Sequence, residues 1–156
     1  LLYGNNFQGP IPPSFLNLSN LIDLRLGDIT DGSSALTFIQ NMKYLRILVL
    51  RNCKISGTIL HNFDEYRSLT FLDLSFNNLT GQLPQSLFVS NSLKYLFLGN
   101  NSLSGSLPMA KGQTLTNLWK QLYYQAKIFY AEFIHVHCQK CSCGTHRISF
   151  VILERR

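Results

Sequence analysis

Residues 69–84 read LTFLDLSFNNLTGQLP, and residues 93–108 read LKYLFLGNNSLSGSLP. They begin 24 residues apart and share the frame L-x-x-L-x-L-x-x-N-x-L-x-G-x-L-P. A repeat must be settled before any element is assigned, because it decides the whole architecture. The first leucine of the frame falls at Leu21, Leu45, Leu69 and Leu93, and the third at Leu2, Leu26, Leu50, Leu74 and Leu98. Further rows stay in phase: Phe7, Ile55, Leu79 and Leu103; Gly9, Gly57, Gly81 and Gly105; Phe15, Ile39, Phe63 and Leu87. Chance does not hold so many rows in step.

The segment L-x-x-L-x-L predicts a short strand whose alternate leucines point inward while the intervening residues face out. The bend that follows has backbone groups without partners in its own coil. The amide of the frame's Asn supplies them, at Asn5, Asn77 and Asn101. Cys53 stands there in the third repeat and Ile29 in the second. An unsatisfied buried polar group costs about 1–3 kcal/mol, so the second repeat is expected to be the loosest coil. The glycine row implies positive φ or close backbone approach. Pro12, Pro84 and Pro108 end each turn and begin an outer side of irregular turns or short 3₁₀ segments. Each coil buries its apolar face only against its neighbours, so the stack forms one continuous core. The expected fold is an α/β repeat: a solenoid of about five coils over residues 1–118, with a parallel concave β-sheet.

That frame, in NNFQGPIPPSFLNLSNL, LDLSFNNLTGQLPQSLF and LFLGNNSLSGSLP, resembles the plant-type leucine-rich repeat. LRILVLRNCKISGTI further resembles ectodomains of plant leucine-rich-repeat receptor-like serine/threonine kinases, in the subgroup that also carries a malectin-like domain. The resemblance implies an extracellular recognition module at the plasma membrane, binding a peptide, protein or cell-wall ligand for signalling, with a co-receptor among its partners. The kinase would lie in the remainder of a longer parent. No Gly-rich phosphate loop, H-R-D or D-F-G occurs in this chain, so recognition rather than catalysis is expected here. The alternative is a secreted leucine-rich-repeat decoy or inhibitor. The chain opens at Leu1 partway through a repeat, and a fragment of a longer solenoid is expected.

The 156 residues are 46% hydrophobic and 14% charged, which argues against disorder. Residues 1–114 carry a net charge of +2 and residues 115–156 a net charge of +4. The tail's cations are scattered without a run, so no nucleic-acid partner is expected. The most apolar stretch, 122–136, contains Lys127 and Glu132 and does not read as a membrane span.

In-register coils set equivalent outward residues side by side. One row is Asp23, Ile47, Phe71 and Tyr95; the next is Arg25, Val49, Asp73 and Phe97; a third is Gly27, Arg51, Ser75 and Gly99. Phe71, Tyr95 and Phe97 beside Asp73, with Arg51 near, form a candidate ligand-binding patch, because exposed aromatics flanked by Arg make interface hot spots. The competing explanation is that strand positions favour aromatic residues and cross-strand pairs brace the sheet. Three N-x-S/T sequons, at Asn17, Asn78 and Asn100, are candidate glycosylation sites. Asn17 and Asn78 suit a glycan better, since Asn100 is expected near the concave edge.

After Leu118 the frame breaks: Lys120 takes the place of the third leucine, Tyr123 that of Asn and Lys127 that of Gly. Residues 119–156 are expected to be a non-repeat tail, aberrant or poorly ordered, such as a splice variant or intron read-through would leave. LWKQLYYQAKIFYAEFIHV (118–136) is compatible with an amphipathic helix. HVHCQKCSCGTH (135–146) contains Cys138, Cys141, Cys143 and His146, thiolate and imidazole types that bind zinc. A small zinc-binding module is therefore the reading of a different class. Against it, a structural site wants a second, separated ligand pair. No metal or other cofactor is expected.

Overall fold

The computed structural model describes residues 7–90, 92–104, 136–140 and 146–150. In residues 7–104 it is the solenoid the repeat predicts. Strands β1 (Asp23–Gly27), β3 (Ile47–Arg51), β5 (Phe71–Asp73) and β7 (Tyr95–Phe97) form a parallel concave sheet in that order. Their register steps by one repeat: Asp23 pairs with Ile47, Ile47 with Phe71, and Phe71 with Tyr95. The leucines between the outward residues, Leu24, Leu26, Leu48, Leu50, Leu72 and Leu96, are buried.

A second parallel sheet, absent from the expectations, is built from the x-L-x-G-x segments. It contains β2 (Ser34–Ala35), β4 (Ile55–Thr58), β6 (Asn78–Gln82) and β8 (Ser102–Ser104). Its register is staggered: Ser56 pairs with Asn78 and Thr80 with Ser102, a 22-residue step where the concave sheet steps by 24. A two-residue slip leaves each side chain on its own face, because the strand period is two. Gly57 and Gly81 hold φ of +82° and +78° here, where a residue with a Cβ would be strained. In the second coil the turn glycine comes one residue early. Gly32 has φ of +83°, and a Cβ on it would lie 2.5 Å from the Pro10 nitrogen. That coil carries the shortest second-sheet strand described, two residues long. In its bend Ile29 stands in place of Asn, and the Ile29 N–H donates to the Asn52 carbonyl at 3.0 Å, the same backbone bond that Asn77 makes to Asn100.

The outer side runs through 3₁₀ segments at Pro13–Asn17, Leu36–Ile39 and Phe63–Glu65, and one α-helical turn, α1 (Ser86–Val89). Ile39, Phe63 and Leu87 pack inward from this side and are fully buried or nearly so. The Phe63 and Tyr66 rings stack at 5.3 Å, and the buried Tyr66 hydroxyl donates to the Ile39 carbonyl at 2.9 Å.

Asn77 binds two coils together. Its Oδ1 accepts from the Cys53 and Ile55 N–H groups, both at 3.0 Å. Its Nδ2 donates to the carbonyls of Leu50, Leu74 and Ser75 at 2.6, 2.9 and 3.1 Å. Asn101 repeats the pattern one coil on, accepting from the Leu79 N–H and donating to the Leu74 and Leu98 carbonyls. Among the described residues no buried side-chain nitrogen or oxygen lacks a partner.

In the tail, β9 (Val136–Lys140) and β10 (His146–Phe150) pair antiparallel, with His146 opposite Lys140 and Ile148 opposite Cys138. Val136 and Cys138 alternate with polar residues, as do Ile148 and Phe150, a strand period in both segments. The expected helix over 118–136 lies outside the described residues, apart from Val136.

The stacked-coil core makes a contrast in stability. Leu74 is fully buried between coils, whereas Ile22 is 55% exposed. Leu74→Ala is expected to lower unfolding free energy by about 2–5 kcal/mol, and Ile22→Ala by less than about 0.5 kcal/mol. Urea denaturation of the two variants measures this, and equal losses would contradict the shared core.

Candidate ligand-binding face

The concave rows place Phe71, Tyr95 and Phe97 together. The Phe71 ring lies 5.6 Å from Tyr95 and 5.3 Å from Phe97, both tilted. Tyr95 is 41% exposed, and Phe71 and Phe97 are half-buried. The inward leucines fix these positions, because alternate strand residues must face out. The outcome is a continuous aromatic floor over the last two concave strands.

Asp73 sits in the same rows but turns away from solvent. It is 9% exposed, and its Oδ1 accepts from the Ser75 N–H at 2.9 Å and the Ser75 hydroxyl at 2.6 Å. Its carboxylate shapes the turn after β5. Arg51 is exposed, reaches the Ser75 hydroxyl at 3.4 Å, and lies 4.2 Å from the centre of the Phe76 ring.

Phe76 was missed in the sequence. It adopts φ of +59°, in the row of left-handed residues Asp28, Asn52, Phe76 and Asn100. Asp and Asn tolerate that conformation, and an aromatic residue there is an outlier. The signal was a Phe in a row otherwise filled by Asp and Asn. At the edge where the strands begin, Asn20, Ile22, Tyr44, Arg46 and Ser68 line a shallow hollow, with Tyr44 63% exposed.

Asn17 is exposed at the end of the first 3₁₀ segment, and Asn78 is exposed at the start of β6 on the second sheet. Asn100 is half-buried with φ of +55°, and its carbonyl accepts from the Asn77 N–H at 3.1 Å.

Among the zinc candidates, Cys138 lies on β9 and His146 on β10, while Cys141 and Cys143 lie outside the described residues. Among the described residues there is no group of three or more His, Cys, Asp or Glu that could hold a metal. Nor is any helix there long and apolar enough to cross a membrane.

The Leucine Rich Repeat family matches residues 44–65, 68–89 and 92–111. Over 96 residues the chain is 36% identical to Receptor-like protein 49 of Arabidopsis thaliana, covering 53% of this chain and 11% of that protein. The solved ectodomain of the Arabidopsis receptor kinase HAESA, in complex with an IDA peptide hormone ligand, superposes with a TM-score of 0.66 at 34% identity. It covers 72% of this chain and 19% of that one. A plant ice-binding protein superposes with a TM-score of 0.58 at 31% identity, over 66% of this chain and 36% of that one. The chain is thus a leucine-rich-repeat solenoid homologous to Arabidopsis receptor-like proteins and receptor kinases. It spans about a tenth of the length of the curated relatives it matches.

The buried Cys53 is no reactive thiol. Burial, more than the nearby Asp28 carboxylate, pushes it from 9.0 up to about 12. The thiolate is the nucleophile, so at pH 8 the folded thiol stays protonated. The folded value lies above the unfolded one, so this group's contribution to stability is present below about pH 9 and is lost as the pH rises toward 12. Iodoacetamide at pH 8 is expected to leave Cys53 unmodified in the native chain and to alkylate it fully in guanidinium, read by peptide mass spectrometry. Rapid native alkylation would show that the third coil opens.

Proposed function

We propose that the chain is part of the extracellular recognition module of a membrane receptor-like kinase, with the concave face binding a peptide or protein ligand for signalling. The observation that carries this is the aromatic floor of Phe71, Tyr95 and Phe97, whose rings lie within 5.6 Å of Phe71 and reach solvent at Tyr95. Solvent-accessible aromatics grouped on a rigid sheet supply contact area at small entropic cost. Arg51 on Phe76 extends the floor to the strand ends, and Asp73 contributes by fixing the turn between them. Likeness to an ectodomain solved with a peptide hormone supports a peptide or protein partner of this general kind. A plasma-membrane parent with its repeats outside the cell rests on the same homology. A malectin-carrying subgroup rests on the stretch LRILVLRNCKISGTI.

Glycans fit the same reading. Asn17 and Asn78 lie on the outer side and the second sheet, so sugars there leave the concave face clear. Asn100, half-buried and held at φ of +55° after the last concave strand, is the poorest acceptor of the three.

An array of extended synthetic peptides probed with the purified chain tests the site. For any peptide captured, Phe71→Ala and Tyr95→Ala are expected to weaken binding by more than about 1 kcal/mol. Gln85→Ala, exposed on the outer side, is expected to leave it unchanged. Binding that survives both aromatic substitutions, with thermal unfolding unaltered, would remove the concave face as the site.

A further inference from the structure

We infer that the concave face selects an acidic peptide, one whose carboxylates flank an aromatic residue; this rests on the peptide reading above. The third to fifth coils carry three exposed cations at the ends of the strands that hold the aromatic floor. Arg46 and Lys94 stand where the strands begin, immediately before Ile47 and Tyr95, and Arg51 stands where β3 ends. Backbone bonds fix the first two in one row: the Thr70 N–H donates to the Arg46 carbonyl and the Lys94 N–H to the Thr70 carbonyl, both at 2.9 Å.

None of the three is ion-paired among the described residues. The pairs there are Arg25 with Asp23 and Lys43 with Glu65. The concave carboxylate in these coils is Asp73, which is 9% exposed and already accepts two hydrogen bonds from Ser75. Asp28, further back in the second coil, accepts from the Asn52 amide at 2.9 Å. A ligand on Phe71, Tyr95 and Phe97 therefore meets exposed cations that make no direct ion pair, Arg51 being linked to Asp73 only through the Ser75 hydroxyl. Complementary charge of this kind sets partner choice and approach rate more than raw affinity, and salt screens it.

The geometry sets the spacing. Neighbouring strands lie about 4.8 Å apart and residues rise about 3.3 Å along them, so the diagonal from Arg51 to Lys94 is about 19 Å. Six residues of extended chain cover about 20 Å. Two acidic residues at positions i and i+6, with an aromatic residue midway over the floor, match it.

Three acetylated, amidated heptapeptides, ESSFSSE, QSSFSSQ and KSSFSSK, titrated into the full chain at 50 mM salt and read by NMR shift perturbation, test this. The glutamate peptide is expected to bind at least fivefold tighter than the glutamine peptide, and the lysine peptide weakest. The preference should collapse in 0.5 M salt. Both Arg46 and Lys94 are exposed, and the double variant Arg46→Glu, Lys94→Glu should reverse the order while leaving thermal unfolding unchanged. Equal binding of all three peptides overturns the acidic selectivity and leaves the peptide reading standing. Absence of binding by all three at millimolar concentration refutes the peptide reading and the selectivity with it.

Discussion

The buried amide of Asn77 is the constraint on which the rest of the molecule depends. A coil that turns sharply after three to five strand residues strands its own N–H and C=O groups, and a stack of such coils has no water inside to satisfy them. Asn77 meets donors and acceptors at once, holding two N–H groups of the third coil and carbonyls of the third and fourth. One side chain therefore closes its own bend and sets the height and register of its neighbour. Cys53 has no such reach; its Sγ meets the Arg51 carbonyl at 3.3 Å and the Ile29 backbone N–H. The second coil keeps the backbone bond from Ile29 to Asn52, which Asn77 also makes to Asn100, but has no Asn side chain at that position, and its second-sheet strand is only Ser34–Ala35.

Register is what turns a core into a surface. With Asp23, Ile47, Phe71 and Tyr95 in one row, the outward residues of separate repeats become neighbours about 4.8 Å apart. The aromatic floor is a product of that row and the next, not of any one repeat. The same stacking makes the face rigid, so a ligand need not order it on binding. Phe76 is held at φ of +59° by the coil and covered by Arg51. Strain of this sort persists only where the surroundings over-determine it, and it collects at functional sites.

The concave sheet was legible in the sequence because inward leucines and the Asn position recur every 24 residues, and both are dictated by burial. The rows Phe71–Tyr95 and Asp73–Phe97 followed by arithmetic. The second sheet was not legible. Its strands alternate Ser, Thr and Gly with single apolar residues, and its stagger of 22 arises from how coils lean on one another. The role of Asp73 was also hidden, because whether a carboxylate faces solvent or its own turn depends on Ser75 two residues on. The tail's β9–β10 pairing had only a five-residue alternation in each segment to announce it, in a stretch that also holds the weak zinc candidates Cys138 and His146.

Native-state hydrogen exchange at single amides tests the central claim, that buried Asn side chains lock coil to coil and so build the recognition face. The account predicts that the Cys53 and Ile55 amides, whose acceptor is the Asn77 side chain, exchange as slowly as the sheet amides of Leu48 and Leu72. In an Asn77→Ala variant they should lose that protection first. Cys53 and Ile55 exchanging as fast as the exposed Gly32 amide in the unaltered chain would contradict it.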